Sequence, residues 1–170
     1  MRARSALIVA IALAATPLVS GCGLRPIYAG GAASPVAQGL SGIDVPPIEG
    51  KAGWLVRNAL LDRLSAAGAG SAAKRYRLDV RLDDSLQGLA VLSNDSISRE
   101  RRTLRARYQL VDTASGDILF DASAGSDAGI DVATSEYATI AAEQAALENL
   151  SREIADRIVT ALSQQFIARQ

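Results

Sequence analysis

Arg75-Tyr76-Arg77-Leu78-Asp79-Val80-Arg81-Leu82-Asp83 decides the fold of this 170-residue chain. Tyr76, Leu78, Val80 and Leu82 take every second position, and each residue between them is an arginine or an aspartate. Period-two alternation predicts a strand with one face buried and the other wetted. A second strand answers it, with Leu104, Ala106, Tyr108 and Leu110 inward and Arg99, Arg101, Thr103, Arg105, Arg107 and Gln109 outward. Gly88 interrupts the alternation and reads as a bulge, while Asn94-Asp95 supplies a turn between the two strands. After the turn Thr113-Ala114-Ser115-Gly116-Asp117, Ile118, Phe120 and Ala122 begin a third strand of a meander. The polar, glycine-containing run from Ser126 to Thr134 reads as a loop.

On either side of the meander the period changes to helical spacing. Val56, Leu60 and Leu64 recur every fourth residue, with Leu61 and Ala67 beside them, which predicts a helix over about Trp54–Ala67. Gly50 and Gly53 punctuate its entry, and Gly68 and Gly70 its exit. Leu147, Leu150, Ile154, Ile158, Ala161 and Leu162 step by three and four within a long helix over about Tyr137–Ala168. Ser135 stands at its N-cap, and Glu148–Arg152 and Glu153–Arg157 have the favourable i,i+4 order on its wet side. Upstream, Ile43-Asp44-Val45 alternates briefly and then meets Pro46-Pro47, as a short strand at a sheet margin does. The order is β-α-β-β-β-α. Its simplest α+β arrangement is a four-stranded, mostly antiparallel sheet with two helices packed on one face and a right-handed crossover between the first two strands.

The N-terminus carries a different message. Arg2 and Arg4 precede an apolar run from Ala6 to Ala15, too short to span a bilayer but fitting the h-region of a signal peptide. Ser20-Gly21-Cys22 closes it, and small residues followed by cysteine resemble the lipobox of bacterial lipoproteins. Cleavage before Cys22, with acylation of its thiol and of its new amine, is what that resemblance implies. A buried, inert thiol in an N-terminal membrane anchor is the competing reading. Three acyl chains on one residue hold a protein to a membrane durably. Gly23 stands where an aspartate commonly retains lipoproteins in the inner membrane, which points to the outer membrane. The divisions expected are 1–21 signal peptide, 22–41 lipidated flexible tether and 42–170 a single domain. Within the tether, Leu24, Ile27 and Tyr28 are apolar enough to dock on this domain or on a partner.

Inventory narrows the chemistry. Histidine is absent and Cys22 is the only cysteine, so His-Cys zinc sites, Ser-His-Asp triads and Cys-His dyads are excluded, and no metal or cofactor is expected. Removing Arg2 and Arg4 from the 18 basic residues leaves 16 against 18 acidic, which argues against a nucleic-acid partner. If the two long strands pair with their apolar sides together, Arg75, Arg77, Arg81, Arg99, Arg101, Arg105 and Arg107 share the opposite face. That face is either an ordinary solvated surface with weak cross-strand ion pairs or a landing surface for an anion. Leu89, Val91, Leu92 and Ile97 at the hairpin tip pack locally or form an apolar finger for acyl chains or a partner.

Four stretches together resemble the LPS-assembly lipoprotein family LptE in its alphaproteobacterial form. They are Cys22-Gly23-Leu24-Arg25-Pro26-Ile27-Tyr28, Arg57-Asn58-Ala59-Leu60-Leu61-Asp62-Arg63-Leu64, Arg107-Tyr108-Gln109-Leu110-Val111-Asp112, and the run from Ser135 to Gln144. The resemblance covers nearly all of the chain after Cys22. It implies two helices on a four-stranded sheet and a non-enzymatic protein that plugs and helps assemble the outer-membrane β-barrel LptD. It also implies lipopolysaccharide binding through basic residues on the strands, with the seven arginines as candidates. An auxiliary lipoprotein of an ABC-type lipid transporter would share the helix-on-sheet layout, and a lipid-anchored carboxylate hydrolase is a third class.

Overall fold

The computed structural model describes residues 34–67, 73–91 and 97–169. The expected signal peptide, Cys22, the apolar stretch Leu24–Tyr28, Gly68, Gly70 and the turn expected at Asn94-Asp95 lie outside the described residues. Seven elements follow in order: α1 (Pro35–Ser41), β1 (Ile43–Asp44), α2 (Gly50–Ala67), β2 (Tyr76–Val91), β3 (Ile97–Asp112), β4 (Ile118–Asp131) and α3 (Glu136–Ala168). The four strands form one sheet in the order β1-β2-β3-β4. β1 pairs with β2 in parallel, and β2–β3 and β3–β4 pair antiparallel, so the sheet is mixed.

Strand length explains why the last helix is so long. β2 and β3 have 16 residues each, about 50 Å at roughly 3.4 Å per residue. The 33 residues of α3 reach about 50 Å at 1.5 Å per residue, so one helix covers the sheet from end to end. α2, with 18 residues, covers about half of that. The core forms where all layers meet: Val56, Leu60 and Leu64 of α2, Leu78 of β2, Leu104, Ala106, Tyr108 and Leu110 of β3, and Leu147, Leu150, Ile154, Ile158 and Leu162 of α3 are buried. Each large aliphatic side chain buried there contributes about 1.5–3 kcal/mol.

Three elements differ from the sequence expectation. The tether expected over 22–41 contains a helix at its end. Ser34 caps α1 by accepting a hydrogen bond from the Ala37 amide at 3.1 Å, Pro35 takes the first helical position, and Val36, Ala37 and Leu40 are buried. Small residues made this stretch look like spacer, yet Gly39 is where the Phe166 ring comes so close that a Cβ would lie 2.9 Å from it. Thus the two expected helices pack on the sheet, and a third, short one packs against them.

The loop expected over Ser126–Thr134 is, as far as Asp131, the second half of β4, paired with β3 from Leu104↔Ser126 to Arg99↔Asp131. Its serines, glycines and alanines have poor strand propensity, and the neighbouring ladder overrides them. The alternation is there in small residues: Ala122, Ala124 and Ala128 lie against the core, in register with Asp121, Asp127 and Asp131 on the other face.

The first helix begins at Gly50 and runs through Gly53 instead of starting at Trp54. Gly53 is required by proximity, because a Cβ there would lie 2.5 Å from the Ile48 carbonyl oxygen. The bulge expected at Gly88 is present as a register shift between Gly88 and Ala90. Ser135 occupies the N-cap of α3, but its side chain makes no capping bond. Glu153 pairs with Arg157 at 2.5 Å, whereas Arg152 turns from Glu148 to bond the Asn149 side chain.

Gly53→Ala is expected to destabilise the protein by about 1–3 kcal/mol, the range for forcing a methyl into a filled site. Chemical denaturation checks it: the midpoint falls with the slope unchanged, and an unchanged midpoint would show that Ile48 yields freely.

Candidate functional site

The register of the long strands places the odd-numbered side chains of β2, β3 and β4 together on the face away from the helices. Arg81 is opposite Arg107, Asp83 opposite Arg105, Arg105 opposite Gly125 and Arg107 opposite Ser123. Arg77, Arg81, Arg99, Arg101, Arg105 and Arg107 are exposed there, whereas Arg75, just before β2, is exposed beside Pro35, Gly39 and Phe166 on the helix side of the sheet. The structure therefore brings six of the seven candidates to one face and leaves Arg75 out, and the six form a mosaic, not a bare cationic stripe.

β4 supplies the part that the sequence reading lacked. Asp131 pairs with Arg99 at 3.1 Å, Asp127 with Arg101 at 3.8 Å, and Asp121 with Arg107 at 3.0 Å, while Asp79 takes Arg77 at 2.9 Å within β2. Arg75 lies 6.0 Å from the Tyr76 ring centroid. Among the described residues, Arg81 and Arg105 have no hydrogen bond or ion pair. They rim a shallow hollow of about 440 Å³, also lined by Asp83, Arg107, Ser123 and Gly125. The hollow exists because glycine and serine stand opposite the two arginines of β3. Guanidinium groups converging on a space of that size suit a phosphate or carboxylate, which they engage through paired N–H donors.

Hydrogen bonds set the electrostatics. Arg107, and after it Gln109, donate to Asp121 and hold its carboxyl below the usual carboxylate range. The same bond holds the Arg107 guanidinium above its ordinary value. The Asp121 side chain is 36% exposed and that of Arg107 68%, so their pairing is open to solvent and guides orientation more than it stabilises.

A separate arginine sits on the inner face near the hairpin end and was not anticipated. Arg102 bonds both oxygens of Asp84, at 2.9 and 2.6 Å, and donates to the Glu143 carbonyl at 3.2 Å. Its even number, in line with the apolar Leu104, Ala106, Tyr108 and Leu110, was the available signal. It ties β3 to β2 and to α3 where the aliphatic core thins. Of the hairpin-tip residues, Leu89 is 46% exposed; the side chains of Val91, Leu92 and Ile97 lie outside what is described. Among the described residues no group of acidic, histidine or cysteine side chains is arranged to hold a metal ion, and no helix is long and apolar enough to cross a membrane.

A family model described as LptE, Lipopolysaccharide-assembly, matches residues 40–162. A solved lipoprotein of Caulobacter crescentus CB15 is 28% identical with a TM-score of 0.64, covering 81% of this chain and 98% of that one. The minor lipoprotein of Acinetobacter baumannii is 15% identical with a TM-score of 0.56, covering 72% and 88%. Lipoprotein B of Nitrosomonas europaea is 14% identical with a TM-score of 0.55, covering 71% and 79%. The last two establish likeness of fold. No curated protein sequence matches the chain.

Acid titration gives a signed test of the mosaic. Asp121 has a folded pKa below its unfolded one, so its contribution to stability is complete above the unfolded value and is lost as pH falls through the folded value. A carboxyl-carbon NMR titration should place its midpoint below that of an isolated aspartate, and Arg107→Gln should move it upward. A midpoint indifferent to Arg107→Gln would show that the pair does not persist in solution.

Proposed function

The chain belongs to the lipopolysaccharide-assembly family LptE, and on that premise we propose that it is an outer-membrane lipoprotein, acylated at Cys22, that plugs and helps assemble the LptD β-barrel and binds lipopolysaccharide on its way to the outer leaflet. No step of that work requires bond chemistry. It needs an anchor, a rigid body of barrel-plugging shape, and a surface that distinguishes phosphorylated glycolipid from water.

The observation that carries the ligand part of the proposal is the division among the seven arginines. Arg77, Arg99, Arg101 and Arg107 are engaged by aspartates, while Arg81 and Arg105 stand unpaired around the hollow over Gly125. An arginine already held by a carboxylate must give up that bond to bind an anion; an unpaired one gains a partner without loss. Arg81 and Arg105 are therefore the principal phosphate ligands, with Arg107 and the Ser123 hydroxyl beside them. The paired arginines keep the face hydrated, oriented and close to neutral, which limits indiscriminate binding of anions. Arg75 lies at the far end of β2 beside Phe166 and is not among the proposed ligands.

Binding of purified lipopolysaccharide to the detergent-solubilised full chain tests this. Replacing Arg81 and Arg105 together by Gln should weaken binding about tenfold or more, because each charge-assisted bond contributes about 1.5–3 kcal/mol. The same pair should flatten the dependence of affinity on salt. Replacing Arg99 and Arg101 together by Gln should weaken it less than about threefold, since those two already spend their charge on Asp131 and Asp127. Equal effects of the two double substitutions would return the face to an undifferentiated electrostatic surface, and no effect of either would move lipopolysaccharide binding elsewhere on the molecule.

A further inference from the structure

At Ser34 the chain is already held by the body of the protein. Ser34 is buried at the N-cap of α1, and Val36, Ala37 and Leu40 behind it are buried as well. The residues ahead of Ser34 therefore depart from a packed site, and Pro35 beside it lines a hollow of about 400 Å³.

The hollow has aromatic walls and a cationic rim. The rings of Tyr76 and Phe166 lie 5.5 Å apart between centroids, tilted by 52°, and both line it. Gly39 and Gly42 leave it open between them, since neither carries a side chain. Arg75 stands at its rim, 6.0 Å from the Tyr76 ring centroid, and its guanidinium has no hydrogen bond or ion pair among the described residues. Such a place suits one more aromatic ring, with its faces against Phe166 and Tyr76, the guanidinium over its π-system and a hydroxyl at the wet rim.

We propose that the ring is that of Tyr28, which folds back into the hollow and latches the start of the chain onto its own domain. Reach, composition and chemistry choose this occupant. The span from Tyr28 to Ser34 extends to at most about 20 Å, and the hollow begins at Pro35, the next residue. Between them, Ala29-Gly30-Gly31-Ala32-Ala33 carries no side chain larger than a methyl, so it can pass close to α1, and its glycines permit a reversal. Tyr28 is the one aromatic residue ahead of Ser34. The latch also gives Arg75 a use, which its place off the charged face left open. It is independent of the lipopolysaccharide reading. With Cys22 acylated as proposed, it leaves residues 23–27 alone as free tether, and it holds the α1 end of the sheet near the lipid and the hairpin end away from it.

Aromatic NMR of the full chain, extracted from membranes in mild detergent, tests the latch directly. The Tyr28 ring should give nuclear Overhauser cross-peaks to the Phe166 and Tyr76 rings, unchanged in intensity when the protein is diluted. Heat unfolding tests the coupling. Tyr28→Ala should lower Tm by about 2–6 °C, and Tyr28→Phe should keep most of the loss from appearing, because the ring still fills the hollow. In a Phe166→Leu background, with helix content checked by circular dichroism, Tyr28→Ala should lower Tm by less than about half as much, as expected for residues in contact. Absence of the cross-peaks overturns the proposal, and so does an equal effect of Tyr28→Ala in the two backgrounds. Cross-peaks that arise between differently labelled copies, or from Tyr28 to detergent alone, also overturn it, and would assign Tyr28 to a second chain or to the lipid surface.

Discussion

Everything in this protein depends on one layer of contacts, the even-numbered side chains of β2 and β3, with those of β4, against the apolar stripes of α2 and α3. Leu104, Ala106, Tyr108 and Leu110 of β3, with Ala122, Ala124 and Ala128 of β4, share one core with Leu147, Leu150, Ile154, Ile158 and Leu162 of α3, and Leu78 of β2 joins it with Val56, Leu60 and Leu64 of α2. Because side chains alternate strictly, that packing also fixes where the charges go. Moving either strand by one residue would drive Arg81, Arg105 and Arg107 into the core and expose the leucines. Core and charged face are thus one constraint seen from two sides.

The constraint makes the outer face rigid enough to discriminate. Arginines on a mobile loop would all be equivalent, whereas here register decides which of them meets an aspartate. Asp121, Asp127 and Asp131 of β4 fall beside Arg107, Arg101 and Arg99, while Ser123 and Gly125 leave Arg105 open and Arg81 beyond reach. Individually these exposed pairs contribute little to stability. Their consequence is spatial: they confine available positive charge to the middle of the sheet, above the hollow.

The two long strands and both long helices were legible in the sequence because their side chains carry a clean period, two in one case and near 3.6 in the other. The charged face followed from the same alternation in Arg75–Asp83 and Arg99–Gln109. What was hidden was written in small residues. Ala122, Ala124 and Ala128 alternate as faithfully as the leucines do, but alanine, serine and glycine signal a loop as readily as an edge strand, so β4 was read at half its length. Its three aspartates were consequently missed as partners for the arginines. α1 was hidden for the same reason, since Gly39 serves the close approach of Phe166 and not chain flexibility. Arg102 was overlooked because an arginine at an inward position makes sense only once Asp84 is seen beside it.

A rigid two-faced sheet, with the lipid anchor proposed for it, suits a protein held by something larger. The most direct measurement is to extract the full chain from native membranes in mild detergent and identify what remains bound and what its N-terminus carries. The account predicts a stable complex with an LptD-like outer-membrane barrel, with position 22 as an acylated first residue. Recovery of the chain alone, or with inner-membrane transport components, or with an unacylated N-terminus elsewhere, would contradict it.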